Sequence, residues 1–414
     1  MFLNLVTTNS SEALELLDNL IPAIVIVVVL YIPALILATI SIVHKRRLSE
    51  AFIRQARRRT LYVLSAGILS LGSAYLTDDR YELKSELYPA NVCYNIALAF
   101  QRTAQTRNYH KTSKDFTFHA RSTHQADERE VYVMVVGETS RACNWALYDY
   151  ERETNPGLSG IGGLTAFSHV LTESNTTHKS VPMLLSPVSA SSFDSIYYQK
   201  GIITAFKEAG YQTAFFSNQR YNHSFIDFFG KEADTYDFIK EDVGDSNYNP
   251  SDDKLLKLVA KELGKGVSRQ FIVLHTYGSH FNYKERYPAE QAFFLPDMPV
   301  DAEVKYKDNL INAYDNSIRY TDNFLVRLID MLQKQHVNSA LIYTSDHGED
   351  IFDDNRHLFL HASPVPSYYQ IHVPFFIWMS DNYRQRYPSL LEPHKPIGRR
   401  MYLPVPHSSR QCWK

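Results

Sequence analysis

The segment Thr344–Asp350 (TSDHGED) places the carboxylate of Asp346 beside the imidazole of His347. It follows the apolar stretch Ser339–Tyr343 (SALIY), whose composition is typical of a buried β-strand. Carboxylate oxygens and imidazole nitrogens together are ligands that Zn²⁺, and less readily Mn²⁺, takes in proteins. The pair therefore predicts a metal site at the end of a strand.

Two further predicted strands end on side chains of the same kind. Glu138 follows Val131–Gly137 (VYVMVVG), and His275 lies near the end of the apolar run Gln270–Thr276, with His280 one short turn later. Taken singly, such residues are more often a helix cap, a core histidine or a turn former. Because the carboxyl ends of parallel strands meet at one edge of a sheet, their shared position favours a single site. The absence of cysteine from this set fits a catalytic rather than a structural zinc site.

A hydroxyl-rich segment, Ser174–Pro187 (SNTTHKSVPMLLSP), precedes a short apolar helix and could supply a nucleophile. Serine and threonine at a helix N-terminus usually serve only as caps. The same N-terminus offers free N–H groups and positive dipole character, which suit a phosphate group. A threonine there, beside a metal ion, could attack phosphorus and form a phosphothreonine intermediate. Thr176 and Thr177 are the two adjacent choices.

Alternating strand and helix patterns must position these residues. Apolar, β-branched runs predict strands, and helical patterns lie between them. The strands are expected at 131–138, 213–216, 270–276, 339–346 and 373–379, and the helices at 201–209, 252–263 and 308–335. This order predicts an α/β fold, an α/β/α sandwich with a mainly parallel sheet.

The N-terminal part is predicted to be a membrane region. Leu20–Val43 contains no charged residue over a length that spans a bilayer, and Thr60–Thr77 is a shorter second span. The loop between them, His44–Arg59, holds seven lysines and arginines against one glutamate, so we expect it in the cytoplasm. The chain beyond Asp78 is then expected outside, in the periplasm of a Gram-negative cell.

Three parts are expected along the chain: a membrane region (1–77), a connector (78–129) and a catalytic domain (130–414). Within the connector, Asn91–Gln101 predicts a helix, either at the membrane surface or packed on the catalytic domain. A polar, external Met1–Asn19 is an unusual start for a membrane protein, which predicts that earlier spans are missing.

Charge and cysteine content exclude some classes of protein. A formal net charge of −2 gives no indication of a nucleic-acid partner. The 28 tyrosines and 23 phenylalanines provide for a large core, so extensive disorder is not expected. Cys93, Cys143 and Cys412 are an odd number without Cys-X-X-Cys spacing, which supports neither a cysteine metal site nor a complete disulfide framework.

Five motifs, in this order, resemble those of the membrane phosphoethanolamine transferases of the alkaline phosphatase/sulfatase superfamily. They are VVGETSRACNWALYDYERETNP (Val135–Pro156), NTTHKSVPM (Asn175–Met183), LHTYGSH (Leu274–His280), SDHGED (Ser345–Asp350) and LHASP (Leu360–Pro364). The resemblance covers roughly residues 130–391. It implies an alkaline-phosphatase/sulfatase-like fold and an inner-membrane protein with a periplasmic catalytic domain. Its implied partners are membrane lipid, with phosphatidylethanolamine as the donor that releases diacylglycerol, and lipid A or another lipopolysaccharide sugar as the acceptor.

Matching the motifs residue by residue also implies individual roles. The implied zinc ligands are Glu138, Thr177, Asp346 and His347. Thr177 is also the implied nucleophile, and its neighbour Thr176 is the rival. The implied role of His280 and His361 is to hold the phosphoryl group or a second zinc ion. Asn218, His223 and His275 are further candidates for contact with the substrate.

Some features depart from this family, and other interpretations stay open. Its members usually begin with about five membrane helices where two are predicted here, and the tail from Arg399 does not fit, so both ends are expected to be truncated or altered. A sulfatase would need C/S-X-P-X-R, whereas Asn144 and Trp145 follow Cys143. A phosphoglycerol transferase of the same superfamily would share the metal and threonine chemistry. An inactive, membrane-anchored fragment that only binds lipid or a partner is the remaining alternative.

Overall fold

The computed structural model describes residues 10–43, 49–77, 84, 87–88, 90–124, 128–240, 249–298 and 301–388. The chain forms two compact units, Met1–Arg107 and Asn108–Lys414. The tail from Arg399, for which an altered sequence is expected, lies outside the described residues. The three-part division of the chain remains a prediction.

The first unit contains helices α1 (Ser10–Val43) and α2 (Glu50–Thr77). Val25–Val43 and Glu50–Thr77 are long and apolar enough to cross a membrane, and their apolar side chains are exposed. The second helix begins at Glu50 rather than at the expected Thr60, so the arginines at 54 and 57–59 are helical and not in a loop. Arginine is a good helix former, and the backbone N–H of Phe52 donates to Ser49 Oγ at 3.3 Å at the start of the helix. Residues 44–48 of the expected loop lie outside the described part.

Helix α3 (Ala90–Thr112) includes the expected helix Asn91–Gln101 and continues well beyond it. The continuation, QRTAQTRNYHKT, is polar, so the apolar pattern identified only the first half of the helix. Its last residues belong to the second unit, where the Tyr109 ring packs against Phe225 and Phe228 with centroid separations of 5.2 and 5.3 Å.

The second unit is built around a central sheet. The strands are β1 (Glu130–Gly137), β2 (Leu164–Ala166), β3 (Gln212–Ser217), β4 (Thr235–Phe238), β5 (Arg269–His275), β6 (Asn338–Ser345), β7 (Asp350–Ile351), β8 (Phe359–Leu360) and β9 (Phe375–Met379). Seven of them form one sheet in the order β2-β9-β6-β1-β5-β3-β4. The neighbours from β6 to β4 pair in parallel, and β9 runs antiparallel to both β6 and β2. The remaining two strands, β7 and β8, form a separate antiparallel pair.

Helices cover both faces of this sheet. They are α4 (Thr177–Leu184), α5 (Ile202–Glu208), α6 (Phe225–Gly230), α7 (Asp253–Leu263), α8 (Lys307–Gln333), α9 (Tyr368–Ile371) and α10 (Asp381–Arg386). Alternate residues of β1 enter different hydrophobic clusters: Val133 and Val135 pack with α7 and α8, and Met134 and Val136 pack with α4, α5 and α6. A strand buried on both faces explains the continuous apolar run in its sequence.

The α/β/α sandwich with a mainly parallel sheet is confirmed. All five expected strands and all three expected helices are present with small shifts of their ends. The strands β2 and β4 were not expected, because they are short, partly exposed edge strands without a clear apolar pattern. The antiparallel direction of β9 was not expected either, since composition carries no information on strand direction.

Candidate metal centre

Glu138 follows β1 directly, and its side chain is fully buried. Because β1 pairs with β5 on one side and β6 on the other, the sheet fixes the backbone at this position. The carboxylate oxygen Oε1 accepts hydrogen bonds from the hydroxyls of Thr139 at 2.8 Å and Thr177 at 3.0 Å. Glu138 is therefore held rigidly, with its carboxylate directed at other polar side chains.

Asp346 and His347 follow β6, the neighbour of β1, and both are fully buried. Oδ1 of Asp346 accepts from the backbone N–H groups of Thr139 at 3.1 Å and His347 at 2.7 Å. The ring nitrogen Nδ1 of His347 donates to the carbonyl oxygen of Gly348 at 2.9 Å. In the neutral ring Nε2 is then unprotonated, and it lies 3.3 Å from Asp346 Oδ2 and 3.6 Å from Glu138 Oε1.

Thr177 is the first residue of α4, and its Oγ1 lies 3.0 Å from Glu138 Oε1 and 3.1 Å from His347 Nε2. Thr176 precedes the helix, where its Oγ1 lies 3.1 Å from Ser174 Oγ and makes no capping bond. The residues Ser180, Val181 and Pro182 lie inside α4. Of the two adjacent threonines, the second is the one that contacts Glu138 and His347.

Burial controls the charges at this site. It raises the pKa of Glu138 well above its usual value, with a further contribution from the neighbouring Asp346 carboxylate. It also raises the pKa of Asp346 to about 6 and holds the pKa of His347 well below its usual value. Two buried carboxylates in contact repel each other, and a divalent cation would remove this repulsion. The neutral imidazole is the form that binds a metal.

The donor set fits a metal ion. The ligand atoms of Glu138, Asp346 and His347 all lie within 4.8 Å of one another, and Thr177 Oγ1 adds a fourth donor. Three oxygens and one imidazole nitrogen suit a catalytic zinc site. His347 gives its other N–H to a backbone carbonyl, as metal-binding histidines do, which fixes the ring orientation. The structure thus brings together the four side chains expected as ligands.

Three further side chains lie beside this set: His280, His361 and Glu349. The ring of His361 lies 4.2 Å from that of His347 and 6.4 Å from that of His280, measured between centroids. Glu349 is fully buried and neither of its carboxylate oxygens has a hydrogen-bond partner within the described part of the chain; Oε2 lies 3.7 Å from His361 Nδ1. Burial raises the pKa of Glu349 and lowers that of His280 to about 3.

Sequence reasoning did not single out Glu349 as a site residue, although it lies in the same SDHGED motif. The signal that identifies it is structural: a buried carboxylate without a hydrogen-bond partner among the described residues needs a cation or a polar ligand. Its position beside His361 makes it a candidate acidic ligand next to the two histidines for which a second zinc ion was considered.

The three further candidates for contact with the substrate differ in their surroundings. His275 is buried, with Nε2 3.9 Å from Glu138 Oε2, and burial lowers its pKa to about 3. Asn218 is buried, and its Nδ2 donates to Pro250 O at 2.9 Å and to Asp252 Oδ1 at 2.7 Å. His223 is exposed and has its ring against Tyr221, with centroids 4.5 Å apart. Substrate contact by these residues remains a prediction.

Two glycines permit the close packing around the centre. Gly278 has a φ of +48°, and a Cβ there would lie 2.7 Å from the carbonyl oxygen of Glu138. A Cβ on Gly348 would overlap the carbonyl oxygen of Tyr369 and lie 2.7 Å from Arg141 Cβ. Because neither glycine carries a Cβ, backbone segments from other parts of the chain pack directly against the backbone beside the candidate ligands.

We expect Gly278→Ala to destabilise the protein and to reduce its metal content. The positive φ costs an alanine about 1 kcal/mol, and the clash with Glu138 adds about 1–3 kcal/mol and displaces a candidate ligand. Gly266→Ala is the matched control, because Gly266 has a φ of +64° but open space around the position of a Cβ. Thermal unfolding and elemental analysis of both variants measure the difference, and equal effects would contradict the importance of this contact.

The parallel sheet with carboxylate and imidazole side chains at its carboxyl edge defines an alkaline-phosphatase/sulfatase-like protein. The Sulfatase family model matches residues 130–401. This match covers well over half of the chain, and the chain therefore belongs to the sulfatase family.

Similar proteins extend the comparison. Phosphatidylethanolamine transferase Mcr-1 of Escherichia coli is 32% identical over 295 residues, which cover 65% of this chain and 53% of that protein. The integral membrane lipooligosaccharide phosphoethanolamine transferase A (EptA) of Neisseria meningitidis has a solved structure with a TM-score of 0.66 and 25% identity, covering 82% of this chain and 65% of that one. The C-terminal periplasmic domain of EcEptC from Escherichia coli, in complex with Zn, gives a TM-score of 0.59 at 26% identity over 64% of this chain and 76% of that one.

These findings confirm the resemblance to phosphoethanolamine transferases that the motifs indicate. The chain spans about half the length of the curated relatives it matches. The zinc complex of the EcEptC domain, together with the ligand geometry described above, supports a metal ion at the site.

Proposed function

We propose that this protein transfers phosphoethanolamine from phosphatidylethanolamine to lipid A or another lipopolysaccharide sugar, through a phosphothreonine formed on Thr177. The observation that carries the proposal is the position of Thr177 Oγ1 at the start of α4, 3.0 Å from Glu138 and 3.1 Å from His347. Family membership alone does not set the reaction. The similar proteins include a phosphatidylethanolamine transferase and a Kdo(2)-lipid A phosphoethanolamine 7''-transferase, which supports these substrates.

The metal in this proposal is zinc. Its ligands would be Glu138, Thr177, Asp346 and His347, and a second ion would be held by His280, His361 and Glu349. When bound, zinc supplies a Lewis acid that lowers the pKa of a hydroxyl and offsets the negative charge of the phosphodiester. The zinc in the related EcEptC domain supports this choice over Mn²⁺.

The chemistry of the chain's own residues is a double displacement. The Thr177 hydroxyl donates to Glu138 Oε1, so Glu138 is placed to receive its proton. Thr177 Oγ1 then bonds to phosphorus while the bond from phosphorus to the diacylglycerol oxygen breaks. In the second half, a hydroxyl oxygen of the acceptor attacks the same phosphorus and passes its proton to the imidazole that protonated the diacylglycerol oxygen. Glu138 returns its proton to Thr177 Oγ1 as the bond from that oxygen to phosphorus breaks.

The leaving diacylglycerol oxygen needs a proton, and two imidazoles are near enough to be considered. Burial lowers the pKa of His280 to about 3, so this ring is neutral near pH 7 and suits a role in holding the phosphoryl group. His361 is partly exposed, and its Nδ1 lies 3.7 Å from Glu349 Oε2, so its ring can be reached by a leaving group from outside the buried centre. With a single zinc ion bound at Glu138, Thr177, Asp346 and His347, we assign proton donation to His361 and phosphoryl contact to His280.

The proposed location is the inner membrane, with the second unit in the periplasm. We expect a reporter fused after Arg54 to be cytoplasmic and one fused after Asp227 to be periplasmic, because lysines and arginines crowd the region between the two apolar stretches. The reporter is an enzyme that is active only in the periplasm, and its activity is measured for a fusion at each of the two positions. Activity of the reporter at position 54 would contradict this topology.

A donor assay with the full chain in lipid vesicles tests the proposed reaction. We expect release of diacylglycerol from phosphatidylethanolamine, increased by zinc and by an added lipid A acceptor. Faster turnover of phosphatidylglycerol would instead indicate a phosphoglycerol transferase. Zinc binding without turnover of either lipid would indicate the inactive, membrane-anchored fragment.

A further inference from the structure

The turn Thr276–Ser279 connects β5 to His280. The backbone N–H of Ser279 donates to the carbonyl oxygen of Glu138 at 3.0 Å. The Tyr277 ring stacks on the His280 imidazole, with centroids 4.9 Å apart and an interplanar angle of 13°. The turn therefore contacts a candidate metal ligand at one point and sets the position of an imidazole at another.

Asp252 holds this turn from the other side. Its Oδ1 accepts from the backbone N–H of Tyr277 at 2.9 Å, and its Oδ2 accepts from the backbone N–H of Gly278 at 3.0 Å. Oδ1 also accepts from Nδ2 of Asn218, the residue that follows β3. One buried carboxylate, 8% exposed, thus joins the ends of two neighbouring strands.

The hydrogen bonds of the Asp252 side chain are unusual for a residue at the start of a helix. Asp252 is the N-cap residue of α7, where an aspartate side chain normally accepts from the first turn of its own helix. Here the side chain makes no capping bond, and only the main-chain oxygen accepts from Leu255 N at 2.9 Å. The carboxylate therefore binds the backbone of the turn and not that of the helix. This use of the side chain indicates that the conformation of the turn needs support.

We propose that Asp252 is a positioning residue for His280 in the phosphoryl transfer, an inference that rests on the proposed function. By binding two consecutive backbone N–H groups it fixes the backbone that carries Tyr277. The Tyr277 ring stacks on His280 and so helps to set how the imidazole meets the phosphoryl group. Asn218 belongs to the same arrangement, because its amide nitrogen binds Asp252 Oδ1 and Pro250 O.

Asp252→Asn tests this inference in the full chain. An asparagine keeps the size of the side chain but has one acceptor oxygen, and its NH₂ group would face a backbone N–H. We expect amide hydrogens in residues 274–281 to exchange roughly tenfold faster or more, since the turn opens locally. With phosphatidylethanolamine vesicles, kcat should fall by about ten- to a hundredfold, as for a small misplacement of a reacting group, with KM changed less than about twofold.

Asp322→Asn is the matched control. Asp322 is also a buried carboxylate that accepts from two consecutive backbone N–H groups, those of Gly157 and Leu158, both at 2.9 Å, but it lies outside the candidate site. We expect this control to keep its kcat and its exchange at 274–281. Equal kcat in the two variants, unchanged exchange in Asp252→Asn, or loss of zinc from Asp252→Asn would each overturn the positioning role. Lack of diacylglycerol release by the unsubstituted chain would overturn the proposed function instead, and the exchange measurement would still decide the role of Asp252.

Discussion

Thr177→Ala is expected to abolish phosphoethanolamine transfer, whereas Thr176→Ala is expected to leave it nearly unchanged. Removal of a catalytic nucleophile lowers turnover by roughly a thousandfold or more, because the remaining groups have nothing to carry the transferred moiety. Thr177 Oγ1 contacts both Glu138 and His347, whereas within the described part of the chain Thr176 Oγ1 makes its hydrogen bond to Ser174 Oγ. Neighbouring residues at a helix start point about 100° apart, so the two threonines cannot exchange roles.

Mass spectrometry distinguishes the two threonines. After incubation of the full chain with phosphatidylethanolamine and zinc, we expect a phosphoethanolamine adduct on the peptide that contains Thr177. The adduct should be absent from Thr177→Ala and present in Thr176→Ala. Thr176→Ala is a close control because it changes the same residue type one position away, and without a capping bond its loss should cost less than about 1 kcal/mol. The reverse pattern would move the nucleophile to Thr176.

The second large effect is expected for Asp346→Ala, which should remove the zinc and with it the activity. Asp346 contributes one of the two carboxylates of the candidate centre and holds the His347 backbone through Oδ1. Loss of residues that only support metal ligands already costs about 10–100-fold in affinity, so the loss of a ligand itself should exceed that range. Elemental analysis of the purified full chain measures the zinc content directly.

Asp354→Ala is the control for this experiment. Asp354 lies in the same stretch of chain, but it pairs with Arg356 near the surface and not with the candidate ligands. We expect it to keep its zinc and its turnover. Full zinc retention in Asp346→Ala would show that the four assigned side chains are not the ligand set. If the unsubstituted chain binds two zinc ions, Glu349→Gln should leave one, because the substitution removes the carboxylate of the second ligand set, His280, His361 and Glu349, and leaves the first set intact.

The parts of the site that could be predicted from sequence are those attached to buried strands. Glu138, Asp346 and His347 directly follow apolar runs, and the parallel pairing of β1 with β6 brings the ends of those runs together. The two strands occupy adjacent places in the sheet, so short-range pattern and a general rule for parallel sheets were sufficient. The short edge strands β2 and β4 lack that pattern and were missed.

Residues whose role depends on distant partners could not be predicted. Glu349 lies near His361 because β7 and β8 pair with Asp350 opposite Leu360, and two strands of two residues each leave no pattern in the sequence. Asp252 has the sequence position of a helix cap, and only the structure shows that its carboxylate binds the turn before His280. A local sequence pattern predicts the secondary structure in which a residue lies. It does not predict which group elsewhere in the fold its side chain will bind.

Gly348 illustrates how misleading a glycine in a motif can be. Within Asp-His-Gly-Glu it suggests a flexible turn, yet its backbone has an ordinary φ, and what excludes other residues is the carbonyl of Tyr369 and the Cβ of Arg141. Close packing, and not an unusual backbone conformation, is therefore what requires a glycine at position 348. Close packing on both sides of Gly348 restricts the backbone next to His347. The fold therefore sets the arrangement of Asp346 and His347 before a substrate binds. A ligand at such a centre is selected by how well it matches this arrangement of side chains.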